Sequence, residues 1–272
     1  MQLGNMICFR LIILLSFQMF YTLNCNSQDI SSEEQDYCRE SMSYRLKYGI
    51  FNIGRGTISC FTDTEGKAGQ IKAEVHSTGW IKIFKDLDYR YGSHIDLDTG
   101  LPNSAFMNLK DGRNTTYYEF TFDHDSRTDS AIVFSQTSGQ YVVPKNIFDI
   151  LTGFYHFRNN YIDKSKMTGE DVVIKTFFTD ELWDLRIRYA GDETIKTKYG
   201  QIECYKFNPT TVIGRYFKHD DDMSIWFTKD EIHIPIKIRA NLKLGSMVIE
   251  CVEYQKLGVN TSELTDQIVK NK

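Results

Sequence analysis

From Tyr44 onward the chain alternates apolar and polar side chains with a period of two, the pattern of strands that bury one face and wet the other. Tyr44, Leu46, Tyr48 and Ile50 oppose Arg45, Lys47 and Gly49. Ile71, Ala73 and Val75 oppose Lys72, Glu74 and His76, and Tyr118, Phe120 and Phe122 share one face. Further along, Trp183, Leu185, Ile187 and Tyr189 face one way and Asp184, Arg186 and Arg188 the other. Ile232, Ile234, Ile236 and Ile238 alternate with His233, Pro235, Lys237 and Arg239, and a last strand covers 246–254. Pro235 cannot donate to a ladder, so its strand is expected on an edge or with a bulge there.

The spacers carry turn chemistry. Segments 64–69, 98–103 and 111–114 supply the Gly, Asn and Asp residues that tolerate positive φ or bond their own backbone. Strands joined by short turns imply a meander of hairpins rather than parallel crossovers.

One stretch departs from this pattern. After Pro144, Asn146 is placed to cap a helix whose apolar residues Ile147, Ile150, Leu151, Phe154 and Phe157 form a helical stripe. Asp149 falls in its first turn and Arg158 in its last, where the helix dipole favours an acid and a base respectively. The expected fold is all-β and mainly antiparallel: a large curved sheet or partly closed β-barrel with one central helix at about 147–158.

The ends read differently. Arg10 precedes the apolar run Leu11 to Phe20, and a polar exit follows through Asn24-Cys25-Asn26-Ser27. A charged start, a short apolar run and small exit residues describe a secretory signal peptide over 1–27. The run is shorter than the roughly 20 apolar residues of a membrane span. Cleavage between Ser27 and Gln28 is favoured. Lipidation of Cys25 is the alternative, although Asn24 and Thr22 stand where a lipobox normally holds small and aliphatic residues. Residues 28–42 read as a flexible lead-in, 43–256 as one β-rich domain and 257–272 as a polar tail. This export route places the mature chain in the periplasm or cell envelope.

Composition changes little in this picture. The chain has 272 residues, 41% hydrophobic, with a net charge of -4 that loss of Arg10 makes one unit more negative. A mildly acidic surface without a Lys/Arg cluster argues against a nucleic-acid or anionic-lipid partner read through electrostatics, and no other stretch is apolar enough to span a membrane. Cys38, Cys60, Cys204 and Cys251 remain after the leader, the last three in strand-like runs. Buried thiols are the default there, with one bridge as the alternative. The abundant aromatic residues either fill a core or line a cavity for an apolar ligand.

The ordered set of Tyr44–Cys60 with Gly54-Arg55-Gly56-Thr57, Tyr155-His156-Phe157-Arg158, Ile195 to Cys204 followed by Pro209, Ile225 to Asp230 with Ile234 to Ile238, and Leu244-Gly245-Ser246 resembles the bacterial family called domain of unknown function 3108. The resemblance covers roughly 44–255. It implies an exported protein of Gram-negative bacteria and brings no activity, cofactor or catalytic residue. The leader exit before Gln28 is similar to that of exported Bacteroidetes proteins, whose O-glycosylation acceptor pattern Asp129-Ser130-Ala131 would fit; so short a triplet arises readily by chance.

Catalytic signatures such as G-x-S-x-G, H-E-x-x-H or a P-loop do not occur. His219-Asp220-Asp221-Asp222 could gather a divalent cation, but consecutive residues do not all point at one centre, and a solvated turn is the simpler reading. His233 is expected on the solvent face and His156 packed in the helix. Arg158, a cation on an apolar helix, requires a carboxylate, a carbonyl cap or a ligand anion. No catalytic, cofactor-binding or metal residue is assigned. The expected function is non-catalytic binding of an apolar ligand, a glycolipid or an envelope protein. An envelope-acting hydrolase or isomerase and a structural partner-binding module are the alternatives.

Overall fold

The computed structural model describes residues 39–63, 66–79, 81–84, 86–210 and 217–256. Two meanders make one sheet. The first comprises β1 (Glu40–Tyr48), β2 (Phe51–Thr62), β3 (Ala68–Ser77), β4 (Leu87–Asp96), β5 (Pro102–Asp111), β6 (Asn114–Asp123), β7 (Ser130–Ser135) and β8 (Gly139–Pro144). The second comprises β9 (Val172–Phe178), β10 (Glu181–Thr197), β11 (Gly200–Pro209), β12 (Met223–Thr228), β13 (Pro235–Leu242) and β14 (Gly245–Lys256). β1 and β14 pair and join them, giving a 14-stranded sheet ordered β8-β7-β6-β5-β4-β3-β2-β1-β14-β13-β12-β11-β10-β9. Neighbouring strands are antiparallel throughout.

The sheet curls into a nearly closed barrel. Its edge strands, β8 and β9, meet through Tyr141 and Phe177, whose ring centroids lie 5.0 Å apart. Just after β8, Phe148 makes an isolated parallel bridge to Thr176 on β9. The Phe148 N–H donates to Lys175 O (3.0 Å), and the Phe177 N–H donates to Phe148 O (2.7 Å).

That bridge fixes where the central helix starts. α2 (Ile150–Asn160) is capped by Asp149, not by Asn146. Ile147 and Phe148 carry helix-compatible apolar side chains, but the Phe148 backbone is committed to β9. Asn146 instead takes a left-handed turn with φ 55°. Asp149 Oδ1 accepts from Leu151 N at 2.8 Å and from Thr152 N at 3.3 Å, and Thr152 Oγ1 accepts from Asp149 N at 3.1 Å, so Asp149 and Thr152 form a reciprocal capping box. Gly153 faces β9 so closely that an added Cβ would lie 3.0 Å from Thr176 Cγ2.

α2 runs between the two halves of the sheet. Tyr155 enters the main core with Met42, Tyr44, Tyr89 and Phe177. Phe157 enters a second core with Phe148, Ile162, Phe207 and Phe227. Two shorter helices accompany it, α1 (Ile81–Phe84) and α3 (Ile162–Thr168), the latter ended by Gly169 at φ 69°. No helix among the described residues is long and apolar enough to cross a membrane.

Three details refine the expected boundaries. β1 begins at Glu40, inside the segment expected as lead-in, and Met42 is fully buried. Pro235 opens β13, a central strand, opposite a bulge between Trp226 and Phe227 of β12. Its missing N–H is thereby accommodated without an edge. The leader, Ser27/Gln28, Cys25, Cys38 and the tail 257–272 lie outside the described residues.

Candidate functional site

The interior is occupied by side chains. A void lined by Tyr91, Ser93, Met107, Phe120, Asp149 and Phe177 holds about 10 Å³, and another bounded by Met223, Ile238, Ala240, Met247 and Ile249 holds about 10 Å³. That is room for about one water, against the several hundred Å³ of a ligand pocket. Of the two readings of the aromatic content, the structure favours the filled core.

The most unusual group in this interior is charged. Arg158 on α2 places Nη1 2.7 Å from Glu40 Oε1 on β1, with side-chain exposures of 6% and 7%. The contact is one of opposite charges rather than an aligned hydrogen bond, since neither atom meets hydrogen-bond geometry. Arg158 also stacks over the Tyr155 ring at 4.7 Å. Burial works against the Arg158 charge, and Glu40 outweighs it, so its pKa lies above the ordinary arginine value. Burial raises the Tyr155 hydroxyl well above its usual range, with Glu40 adding to the effect. The cation expected to need a partner has a carboxylate. Glu40 escaped the sequence reading because it follows a polar, aperiodic stretch, and only the alternation Glu40, Met42, Tyr44 marks it as inward-facing.

Asp149 is the second buried carboxylate. Besides capping α2 it accepts from Ser93 Oγ and from Thr152 Oγ1, each at 2.7 Å. Burial raises its pKa, and these bonds oppose the rise. His156 stacks on Phe148 at 4.4 Å, and burial, then the charge of Lys164, pushes its pKa down to about 4.

His219, Asp220, Asp221 and Asp222 form a turn: Asp222 Oδ2 accepts from Lys218 N at 2.7 Å and His219 N at 2.8 Å. Among the described residues no three His, Cys, Asp or Glu side chains converge as a metal site. His233 is not on the solvent face. It sits in a turn at φ 51°, its side chain 12% exposed, because Asp230 Oδ1 accepts from Ile232 N and His233 N and folds the chain before Pro235. Its Nδ1 meets Thr228 O at 3.1 Å and its Nε2 lies 3.5 Å from Asp163 Oδ2.

His233 borders a surface network that the sequence did not reveal. Lys166 bonds Asp163 and the Tyr205 hydroxyl, each at 2.9 Å, and Lys229 bonds Asp192 at 2.8 Å. Tyr189 donates to Asp192, and burial followed by that bond raises its pKa to about 12. Each lysine has a carboxylate partner, so the network is satisfied from within. The third charged group, Asp171 with Arg186 and Arg188, is likewise paired (3.7 and 2.9 Å).

Among the cysteines, Cys204 and Cys251 are buried free thiols and Cys60 is disulfide-bonded, so both expectations hold in part. Ser130 is buried at the start of β7, its Oγ bonded to Asp129 Oδ1 (2.8 Å) and Arg127 Nε (2.6 Å).

Comparison with known proteins returns fold rather than activity. The crystal structure of a beta-barrel-like protein of domain of unknown function DUF1849 from Brucella abortus matches 80% of this chain and 97% of its own, with TM-score 0.54 and 9% identity. A DUF1089 family protein from Pseudomonas aeruginosa matches 89% of this chain and 100% of its own, with TM-score 0.32 and 10% identity. No curated protein matches the sequence. The model of the family described as protein of unknown function (DUF3108) matches residues 43–252, and the chain therefore belongs to that family.

Proposed function

We propose that this protein is an exported, non-catalytic binding module of the bacterial cell envelope that engages an envelope protein on its outer surface rather than an apolar ligand in its interior. One observation carries this reading: among the described residues the curled sheet and α2 pack their side chains into two cores, and the two voids seen between them hold about 10 Å³ each, far below a carrier's chamber. An enzyme calls for polar groups converging on a substrate, whereas the charged groups described above are turned toward each other.

The edge of β8, which meets β9 through the Tyr141 and Phe177 side chains but shares no strand pairing with it, is the favoured contact. Among the described residues β8 pairs with β7 alone. Its sequence, Gly139 to Pro144, has no charged residue, although edge strands are ordinarily guarded by charge. Val142 on β8 and Phe134 on β7 are exposed on the same outer face. An extended partner strand added there would gain backbone hydrogen bonds and cover both side chains.

Two measurements test the reading. Protein purified from its own envelope is extracted with organic solvent and the extract weighed by mass spectrometry; a stoichiometric lipid would overturn it. A photo-crosslinking residue at Gln140 should give one discrete protein adduct that the same residue at Lys72 does not. Equal adducts at both positions, or none at Gln140, would remove the edge from consideration.

A further inference from the structure

One rim of the barrel carries a second surface. β1 ends there and β2 begins, joined by the turn at 49–50. β3 leads there into α1, and β13 turns into β14 at 243–244. Hydrogen bonds hold these connections side by side. The Gly49 N–H donates to Ser246 O at 3.0 Å, and the Thr78 N–H donates to Ile53 O at 3.1 Å. A Cβ added at Gly245 would lie 3.1 Å from the Tyr48 hydroxyl, which places the 243–244 turn against the end of β1.

Each of the three connections lifts one large aliphatic side chain into solvent. Ile50 is 89% exposed, Ile83 83% and Leu244 82%; Phe51, beside Ile50, is half exposed. A lone exposed leucine is ordinary. Three on adjacent tips are not, because no local requirement puts them there. Gly49, Gly79 and Gly245 already supply the positive φ values of 57°, 66° and 97°. Turn positions of this kind are usually filled by Asn, Asp or Ser. Other turns of the barrel follow that habit: 98–100 reads Asp-Thr-Gly on the opposite rim, and 111–114 reads Asp-Gly-Arg-Asn on this one.

The form of the surface selects its occupant. Separate projecting tips do not make the continuous, complementary patch that a folded protein partner covers. A fluid bilayer accepts each tip wherever it falls. Lys82 and Lys243 stand next to Ile83 and Leu244, with aliphatic stems that can lie along acyl chains while their ammonium groups reach lipid phosphates. Asp86, 3.9 Å from Lys82, and the acidic turn ending at Asp222, whose carbonyl accepts from Asn241 N, keep the rim from being strongly basic. Apolar insertion therefore dominates over attraction to anionic lipid.

We infer that this rim docks on a phospholipid bilayer, with Ile50, Ile83 and Leu244 entering the acyl boundary and Lys82 and Lys243 meeting lipid phosphates. The inference rests on the exported placement in the proposed function but not on the β8 edge. Protein-free vesicles test the rim alone, and the Gln140 crosslink tests the edge alone.

The experiment uses the full chain after leader removal and vesicles of phosphatidylethanolamine with a minority of phosphatidylglycerol. The chain should sediment with vesicles, with little release by added salt. Ile50→Ser, Ile83→Ser and Leu244→Ser together should weaken partitioning by about 1000-fold, since each buried aliphatic side chain contributes roughly ten-fold. The melting curve should be unchanged, because the tips touch little of the core. An environment-sensitive dye on Leu244→Cys should shift to the blue on vesicles, and the same dye on Thr99→Cys at the opposite rim should not. Equal sedimentation of the triple variant, a wild-type chain left in the supernatant, or equal dye responses at both rims would overturn the inference.

Discussion

Arg158 and Glu40 meet at 2.7 Å across the barrel interior, and the contact ties the end of the central helix to the first strand. Removing one partner leaves the other charge buried and uncompensated. Glu40→Gln or Arg158→Met is therefore expected to lower stability by about 3–5 kcal/mol. Replacing both, as Glu40→Leu with Arg158→Leu, should recover most of that loss, because a buried ion pair gains little over well-packed apolar groups. Urea denaturation of the two single variants and the double variant checks this. A double variant as unstable as the sum of the singles would mean that the two charges are not coupled, against the contact argued here.

Gly54 and Gly56 lie on β2 where it crosses β3, and neither has positive φ. Their requirement is space. A Cβ at Gly54 would stand 2.7 Å from the His76 carbonyl oxygen, a backbone atom that cannot rotate away. At Gly56 the nearest atom is the Glu74 carbonyl oxygen at 3.3 Å. Gly54→Ala is expected to cost about 1–3 kcal/mol by forcing the two strands apart. For a domain of this size that is a melting shift of roughly 2–10 °C. Gly56→Ala should cost less. Calorimetry of the two variants gives the order, and a reversed order would contradict the steric account.

The strands were legible in the sequence because alternation is a local property. Leu46, Ile71 and Ile187 could be assigned inward from their neighbours alone. What stayed hidden depended on partners distant in sequence. Ile147 fits a helical stripe, and only the bridge of its neighbour Phe148 to Thr176 keeps the chain extended there. His233 fits the outer face of an alternating strand, and only the Asp230 turn draws it inward. Arg158 announced its need for a partner, but Glu40 lies 118 residues earlier at the edge of a polar stretch. Whether the aromatic residues filled or lined the interior was set by the curvature of the sheet, which has no local signature.

Cys204 and Cys251, the free cysteines among the described residues, lead to a chemical prediction. Burial pushes the thiol of Cys204 up to about 12 and that of Cys251 up to about 11. Thiolate, the reactive form, is then scarce near neutral pH. A polar maleimide added to the native chain should leave both cysteines unmodified over hours, and urea should open both to labelling. Cys60, held in a disulfide, should react only after reduction. Intact-mass measurement counts the labels, and prompt native labelling at Cys204 would mean that the β11 region opens far more readily than its packing implies.

His156 makes the seam of the barrel acid-sensitive. Its ring packs on Phe148, the residue that bridges to β9, and burial lowers its pKa from 6.5 to about 4, with Lys164 adding to the shift. In the unfolded chain the imidazole takes a proton as pH falls through 6.5, while in the folded chain it resists until about 4. The unfolded state thus binds more protons between those values. The stabilisation is complete above 6.5 and is lost as pH falls toward 4, by at most about 3 kcal/mol. His156→Phe keeps an aromatic ring on Phe148 and removes the titration. Urea midpoints taken at pH 7 and pH 4.5 should fall further for the wild type than for this variant. Parallel falls would assign the acid sensitivity elsewhere, and a wild type more stable at pH 4.5 than at pH 7 would reverse the sign argued for this histidine.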